Sequence, residues 1–187
     1  MRYADNHLRL WTLQPVALWE KAQRTSWLRC DGRRVERGYR VPYAWLRKQM
    51  LAAIPGYSGR TPVWAWQAPK PDLRKHPYRH YVRGMGKCVS IEFVAAPRSV
   101  LLSDYQSWEA LIMGDFVSTC AKEAEAFDDE YFAADLGDPV VHANFQRRIR
   151  ESWPRVFDLS AANYIQAVIE EVHISQVRRV KCLRPNQ

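Results

Sequence analysis

The chain has 187 residues, of which 47% are hydrophobic and 26% charged, and its formal net charge is +8. No apolar run approaches the roughly 20 residues of a spanning helix, and residues 1–11 (MRYADNHLRLW) lack the apolar stretch of a secretory signal, so a cytoplasmic protein with no membrane association is expected. The charge is polarised: residues 1–100 hold 19 Lys/Arg against 6 Asp/Glu, residues 101–187 hold 9 against 14.

Taken in order, Leu8–Gln14 (LRLWTLQ) alternates as a strand does, and Pro15 opens a short helix over PVALWEKAQR. A second strand is expected around Ser26–Cys30, then a basic loop, DGRRVERGYR. Pro42 opens a helix that Pro55-Gly56 ends. Thr61–Gln67 reads as a strand with Val63 and Ala65 on one face and Trp64 and Trp66 on the other. The next twenty residues form a long basic loop with three prolines. Lys87–Ala95 and Val100–Ser103 are strands; Ser103 with Gln106 has capping-box spacing ahead of a helix, and Asp104 is a further cap for it. The acidic segment near Ser118–Ala134 is expected to be helical, and Asp138-Pro139 caps another helix. The C-terminal part reads as two strands joined near His173–Gln176. The expected fold is therefore α+β: a single domain (1–187) of mixed or antiparallel small sheets with short helices packed around them.

Motif exclusions narrow the chemistry. The chain has no G-x-x-x-x-G-K-[ST], no G-x-G-x-x-G and no G-x-S-x-G, which argues against a kinase, a Rossmann dehydrogenase and an α/β-hydrolase. Cys30, Cys88, Cys120 and Cys182 never form C-x-x-C, so reduced, buried thiols are expected and no metal. His76 and His80 have i,i+4 spacing, but Pro77 between them opposes a helical metal pair.

The strings LRLWTLQPVALWE, IPGYSGRTPVWAWQAPKPDLR, VLLSDYQSW and IQAVIEEVHISQVRRVK resemble a bacterial family known only as a domain of unknown function, over nearly the whole chain. In layout the chain also resembles small ADP-ribosyltransferases. These open with an aromatic–His/Arg–x–Thr strand and a helix, and close with a strand led by a catalytic Glu. That second resemblance implies an enzyme using NAD as co-substrate to modify a nucleic acid or protein. It would act as a toxin or anti-phage effector, with an antitoxin or regulatory protein as partner. Position by position it lays Trp11 and Thr12 on the family's aromatic–His/Arg pair, with Gln14 on the same strand face as Thr12. Gln166 falls at the position of the Glu; it could hydrogen-bond a ribose hydroxyl but not serve as a carboxylate, for which Glu170 or Glu171 would substitute.

Arg60 suits a pyrophosphate by its bidentate geometry, and Trp64 and Trp66 suit a planar base, although core packing is the commoner fate of strand tryptophans. Arg74, Lys75, Arg79 and Arg83, interleaved with Tyr78 and Tyr81, are candidate nucleic-acid contacts for RNA or DNA. The alternative function is a non-catalytic nucleic-acid- or protein-binding module using that basic, aromatic-rich loop. A third reading docks the acidic helix on the basic half.

Overall fold

A computed structural model describes residues 7–35, 37–68 and 86–183. The chain forms two compact units, residues 1–102 with 164–187, and residues 103–163.

Strands buried largely on both faces build the first unit. Its elements are β1 (Leu8–Pro15), α1 (Val16–Thr25), β2 (Trp27–Leu28), α2 (Arg40–Ala53), β3 (Val63–Ala68) and β4 (Cys88–Ala95). There follow most of β5 (Val100–Asp104), then β6 (Ile165–Ile169), β7 (Val172–His173) and β8 (Val177–Leu183). Six strands form one sheet in the order β5-β6-β3-β1-β4-β8, and β2 pairs with β7 in a second. The pairings β1–β3, β1–β4, β3–β6, β4–β8 and β2–β7 are all antiparallel. The fold is α+β, with antiparallel sheets and short helices.

Register fixes the faces, because side chains alternate along a strand. Leu10 lies opposite Phe93, and Ala65 opposite Ala167. These residues, with Val63, Val89, Ile91 and Ile169, form a core against Ala22 of α1, Leu28 of β2 and Val172 of β7. Each large apolar side chain buried there contributes about 1.5–3 kcal/mol. The opposite sheet face carries Trp11, Trp66 and Gln166 in one cross-strand row, with Trp64 and Val168 beside it.

Several boundaries differ from the sequence expectation for local reasons. Pro15 caps α1 instead of occupying its first turn, and the Val16 N–H donates to the Lys87 carbonyl at 3.2 Å. α2 begins at Arg40, which puts Pro42 in the first turn, where a missing N–H costs nothing. The C-terminal part makes three strands: the expected join near His173–Gln176 is a turn closed by a His173/Gln176 capping box between β7 and β8, and a further break at Glu170 and Glu171 separates β6 from β7. The thiols are not uniformly buried: Cys88 is, Cys30 is half-buried, and Cys120 and Cys182 are exposed.

The second unit contains α3 (Tyr105–Met113), α4 (Ala121–Ala133) and α5 (Pro139–Ser152). Asp104, not Ser103, caps α3, accepting from the Ser107 N–H at 2.8 Å. The acidic segment is α4, and α5 starts with Asp138 as cap and Pro139 in its first turn. Phe116 stacks on Phe127 at 4.2 Å, and Phe145 meets Phe127 edge-on. The Ser152 hydroxyl accepts from the Val117 N–H and donates to the Ile149 carbonyl. Among the described residues no helix is long and apolar enough to cross a membrane.

Candidate functional site

Three passages of the first unit come together: the junction of β1 with α1, the basic stretch after β2, and the entry to β3. They bound a cleft of about 940 Å³, within the range of small-molecule sites. Gln14 and Pro15 come from β1, Ala17, Leu18 and Lys21 from α1, and Arg60, Thr61, Pro62 and Trp64 from the β3 side. Trp27, Arg29, Cys30, Asp31, Gly32, Arg33, Val35, Tyr39 and Tyr43 supply much of the remaining wall. Four cations thus line the cleft with one acid, Asp31, and with Trp27, Tyr39 and Tyr43 as aromatic residues, while Trp64 borders it where its carbonyl accepts from Thr12.

The cations are set in place by neighbours. Arg29 donates from Nε to Glu171 at 2.6 Å, and its guanidinium lies over the Trp27 ring at 5.2 Å. Trp27 in turn meets the His173 ring edge-on at 4.7 Å. Arg33 makes a forked contact with Asp31, at 3.1 Å from Nε and 2.8 Å from Nη2. The hydrogen bond to Glu171 pushes the Arg29 pKa further up, and the bond to Asp31 does the same for Arg33. Arg60 Nε lies 3.7 Å from Glu170, which also accepts from the Ser58 N–H at 3.2 Å and from the Ser58 hydroxyl. The Tyr57 hydroxyl donates to the Arg60 carbonyl. Burial, then the charge of Glu170, pushes the Tyr57 phenol up to about 12. Gly32 permits the wall to close: the Thr61 hydroxyl lies where a Cβ on residue 32 would sit.

Among the residues singled out from sequence, Gln14, Arg60 and Trp64 share this cleft. Thr12 is 1% exposed, and its hydroxyl donates to the Trp64 carbonyl at 2.6 Å and accepts from Gln14 Nε2 at 2.7 Å. Thr12 therefore orients Gln14 from beneath. Trp11, Trp66 and Gln166 do not line the cleft; they form the row on the sheet face opposite Thr12 and Gln14. Gln166 is buried, and its Oε1 has no hydrogen-bond partner among the described residues. Glu170 reaches the cleft through Arg60. Arg74, Lys75, Tyr78, Arg79 and Arg83 lie outside the described residues, as do His76 and His80.

Sequence reasoning missed Lys21, Arg29, Arg33, Tyr39 and Tyr43. For Arg33 and Tyr39 the available signal was the basic run DGRRVERGYR; Lys21, Arg29 and Tyr43 carry no local signal. Among the described residues no group of three or more His, Cys, Asp or Glu is placed to hold a metal ion.

A family model described as a domain of unknown function, DUF3841, matches residues 9–178. The chain belongs to the DUF3841 family. The DUF3841 match spans every lining residue of the cleft and both carboxylates, Glu170 and Glu171. No curated protein and no solved structure matches the chain.

Proposed function

We propose that the cleft binds a nucleotide, and that this DUF3841 chain is an ADP-ribosyltransferase-like enzyme with NAD as co-substrate and a nucleic acid or protein as acceptor. The observation behind this reading is the meeting of Gln14, Arg60 and Trp64 with Lys21, Arg29 and Arg33 in one cleft. Guanidinium groups suit phosphates, and aromatic side chains suit a base or the nicotinamide ring. Gln14 Nε2 is committed to Thr12, which presents its Oε1 as an acceptor for a ribose hydroxyl or the carboxamide. In the reaction the bond between nicotinamide and ribose C1′ breaks, and nicotinamide departs with the electron pair. An acceptor oxygen or nitrogen bonds to C1′ and loses its proton. Glu170 is the carboxylate this reading draws on to offset positive charge on the ribose.

Incubation of the purified chain with labelled NAD and cellular RNA, DNA and protein tests the reading. Nicotinamide release with label transfer is expected, reduced at least tenfold in Gln14→Ala and Arg60→Ala. Absence of both NAD binding and nicotinamide release would overturn it.

A second reading, a non-catalytic nucleic-acid-binding module, is favoured by the charge of the first unit. That unit holds 23 Lys/Arg against 8 Asp/Glu, a balance of +15. It predicts RNA binding that weakens steeply with salt while NAD is left intact.

A further inference from the structure

Acid is scarce in the first unit. Its described residues include only five carboxylates: Glu20, Asp31, Glu92, Glu170 and Glu171. Three of the five pair with arginines of the cleft. Two of these, Glu170 and Glu171, are consecutive residues just after β6. They take arginines from two walls far apart in sequence, Arg60 before β3 and Arg29 after β2. One dipeptide thus sets two guanidiniums of the same cleft.

Neither fold stability nor charge balance accounts for this placement. Ion pairs with exposed arginines contribute little to stability, and these arginine side chains are 44% and 57% exposed. The carboxylates are the better buried members, at 24% and 19%. In both pairs the better-buried anion meets a more exposed cation, and Glu170 is held further by the Ser58 N–H and hydroxyl. The Arg29 bond and the closest approach of Arg60 are both made through Nε, which leaves the fork of terminal nitrogens for a ligand.

We propose that Glu170 and Glu171 are positioning residues that hold Arg60 and Arg29 as a two-armed clamp for a diphosphate, one guanidinium to each phosphate. The proposal rests on the nucleotide reading of the cleft and names the part of the ligand that the clamp takes. Lys21 adds charge without fork geometry, so discrimination between one phosphate and two falls to the arginines.

Calorimetric titration of the full chain with inorganic phosphate, inorganic pyrophosphate, AMP and ADP tests it. Pyrophosphate and ADP are expected to bind at least about tenfold more tightly than phosphate and AMP. Arg29→Lys and Arg60→Lys keep the charge and lose the fork, and each should remove most of that preference. The sign of the effect in Glu170→Gln and Glu171→Gln is decisive. If the carboxylates merely screen the cleft, neutralising one raises the local positive potential and tightens every anion. If they position the arginines, pyrophosphate binding weakens about three- to tenfold while phosphate binding does not. Tightening in both variants, or equal affinity of the unmodified chain for AMP and ADP, overturns the clamp and leaves the nucleotide reading standing. Failure of all four probes to bind overturns both. Circular dichroism of each variant confirms that the comparison is between folded proteins.

Discussion

Replacing Thr12 by valine separates a structural role from a catalytic one. The exchange conserves volume but deletes a hydroxyl that is 1% exposed and serves two partners, the Trp64 carbonyl at 2.6 Å and Gln14 Nε2 at 2.7 Å. Each lost hydrogen bond costs about 1 kcal/mol. Gln14 is itself 8% exposed, so its stranded amide N–H adds a desolvation cost of about 1–3 kcal/mol. The extra methyl group gives back about 1 kcal/mol. The expected net loss is about 2–4 kcal/mol, a fall in Tm of about 2–4 °C per kcal/mol for a chain of this size. Urea unfolding followed by tryptophan fluorescence measures it. Adding Gln14→Leu removes the stranded amide, so the double variant should be more stable than the sum of the single losses by about 1 kcal/mol or more. A loss below about 0.5 kcal/mol, or strict additivity with Gln14→Leu, would refute the account. If Thr12 instead touched the ligand, stability would hold while nucleotide affinity vanished.

Three further outcomes follow from the geometry. Ser26 ends α1 in the left-handed region, at φ 64°, where a side chain is disfavoured. Ser26→Gly should stabilise by about 0.5–1 kcal/mol, read as a higher urea midpoint, and Ser26→Val should do the reverse. The Thr119 N–H, then its hydroxyl and Arg155, hold the Glu123 carboxyl below the usual range. Its contribution is complete above the unfolded value of about 4.3 and is lost as pH falls through the folded one. Glu123→Gln should therefore destabilise the second unit at neutral pH and make no difference once the wild-type carboxyl is protonated, as compared by denaturation at both ends of that range. Cys120 and Cys182 are exposed, whereas Cys88 is buried and its thiol is pushed up by burial. A thiol reagent should label the first two at once and Cys88 only on unfolding; rapid labelling of Cys88 would contradict its burial at the start of β4.

The strands were legible because successive side chains take opposite faces with period two. LRLWTLQ and TPVWAWQ each divide their apolar residues between faces in the register that the sheet uses. Asp138-Pro139 was legible because cap and first-turn proline act within a few residues. The end of the chain was legible in part. The join near His173–Gln176 is the turn between β7 and β8, whereas the break between β6 and β7 at Glu170 and Glu171 has no Gly or Pro to mark it. The cleft was legible only at Gln14, Arg60 and Trp64, which lie on or beside strands. Arg29 and Glu171 are 142 residues apart, and nothing local to either marks the other. Gln166 shows the same limit from the other side. Its place at the head of β6 was readable, but its sheet face depends on pairing with Trp66.

The fold also changes what the charge means. Division at residue 100 leaves the C-terminal segment with the acidic half, whereas folding returns residues 164–187 to the basic unit. That segment brings Arg178, Arg179 and Lys181, all exposed on β8, the outer strand next to β4. Cations on an edge strand oppose pairing with another chain, so this part of the charge has a use that requires no ligand. The cleft cations differ in kind. Arg29, Arg33 and Arg60 each have a carboxylate partner, whereas the β8 cations are exposed on what is, among the described residues, the last strand of the sheet. A protein needing only a positive surface would have no use for spending its few acids on the cations that line a cleft. Acid placed there lowers the attraction for anions in general and fixes the direction of each guanidinium. That exchange favours one anion geometry over mere negative charge, and it is the physical reason to look for a ligand of defined phosphate spacing.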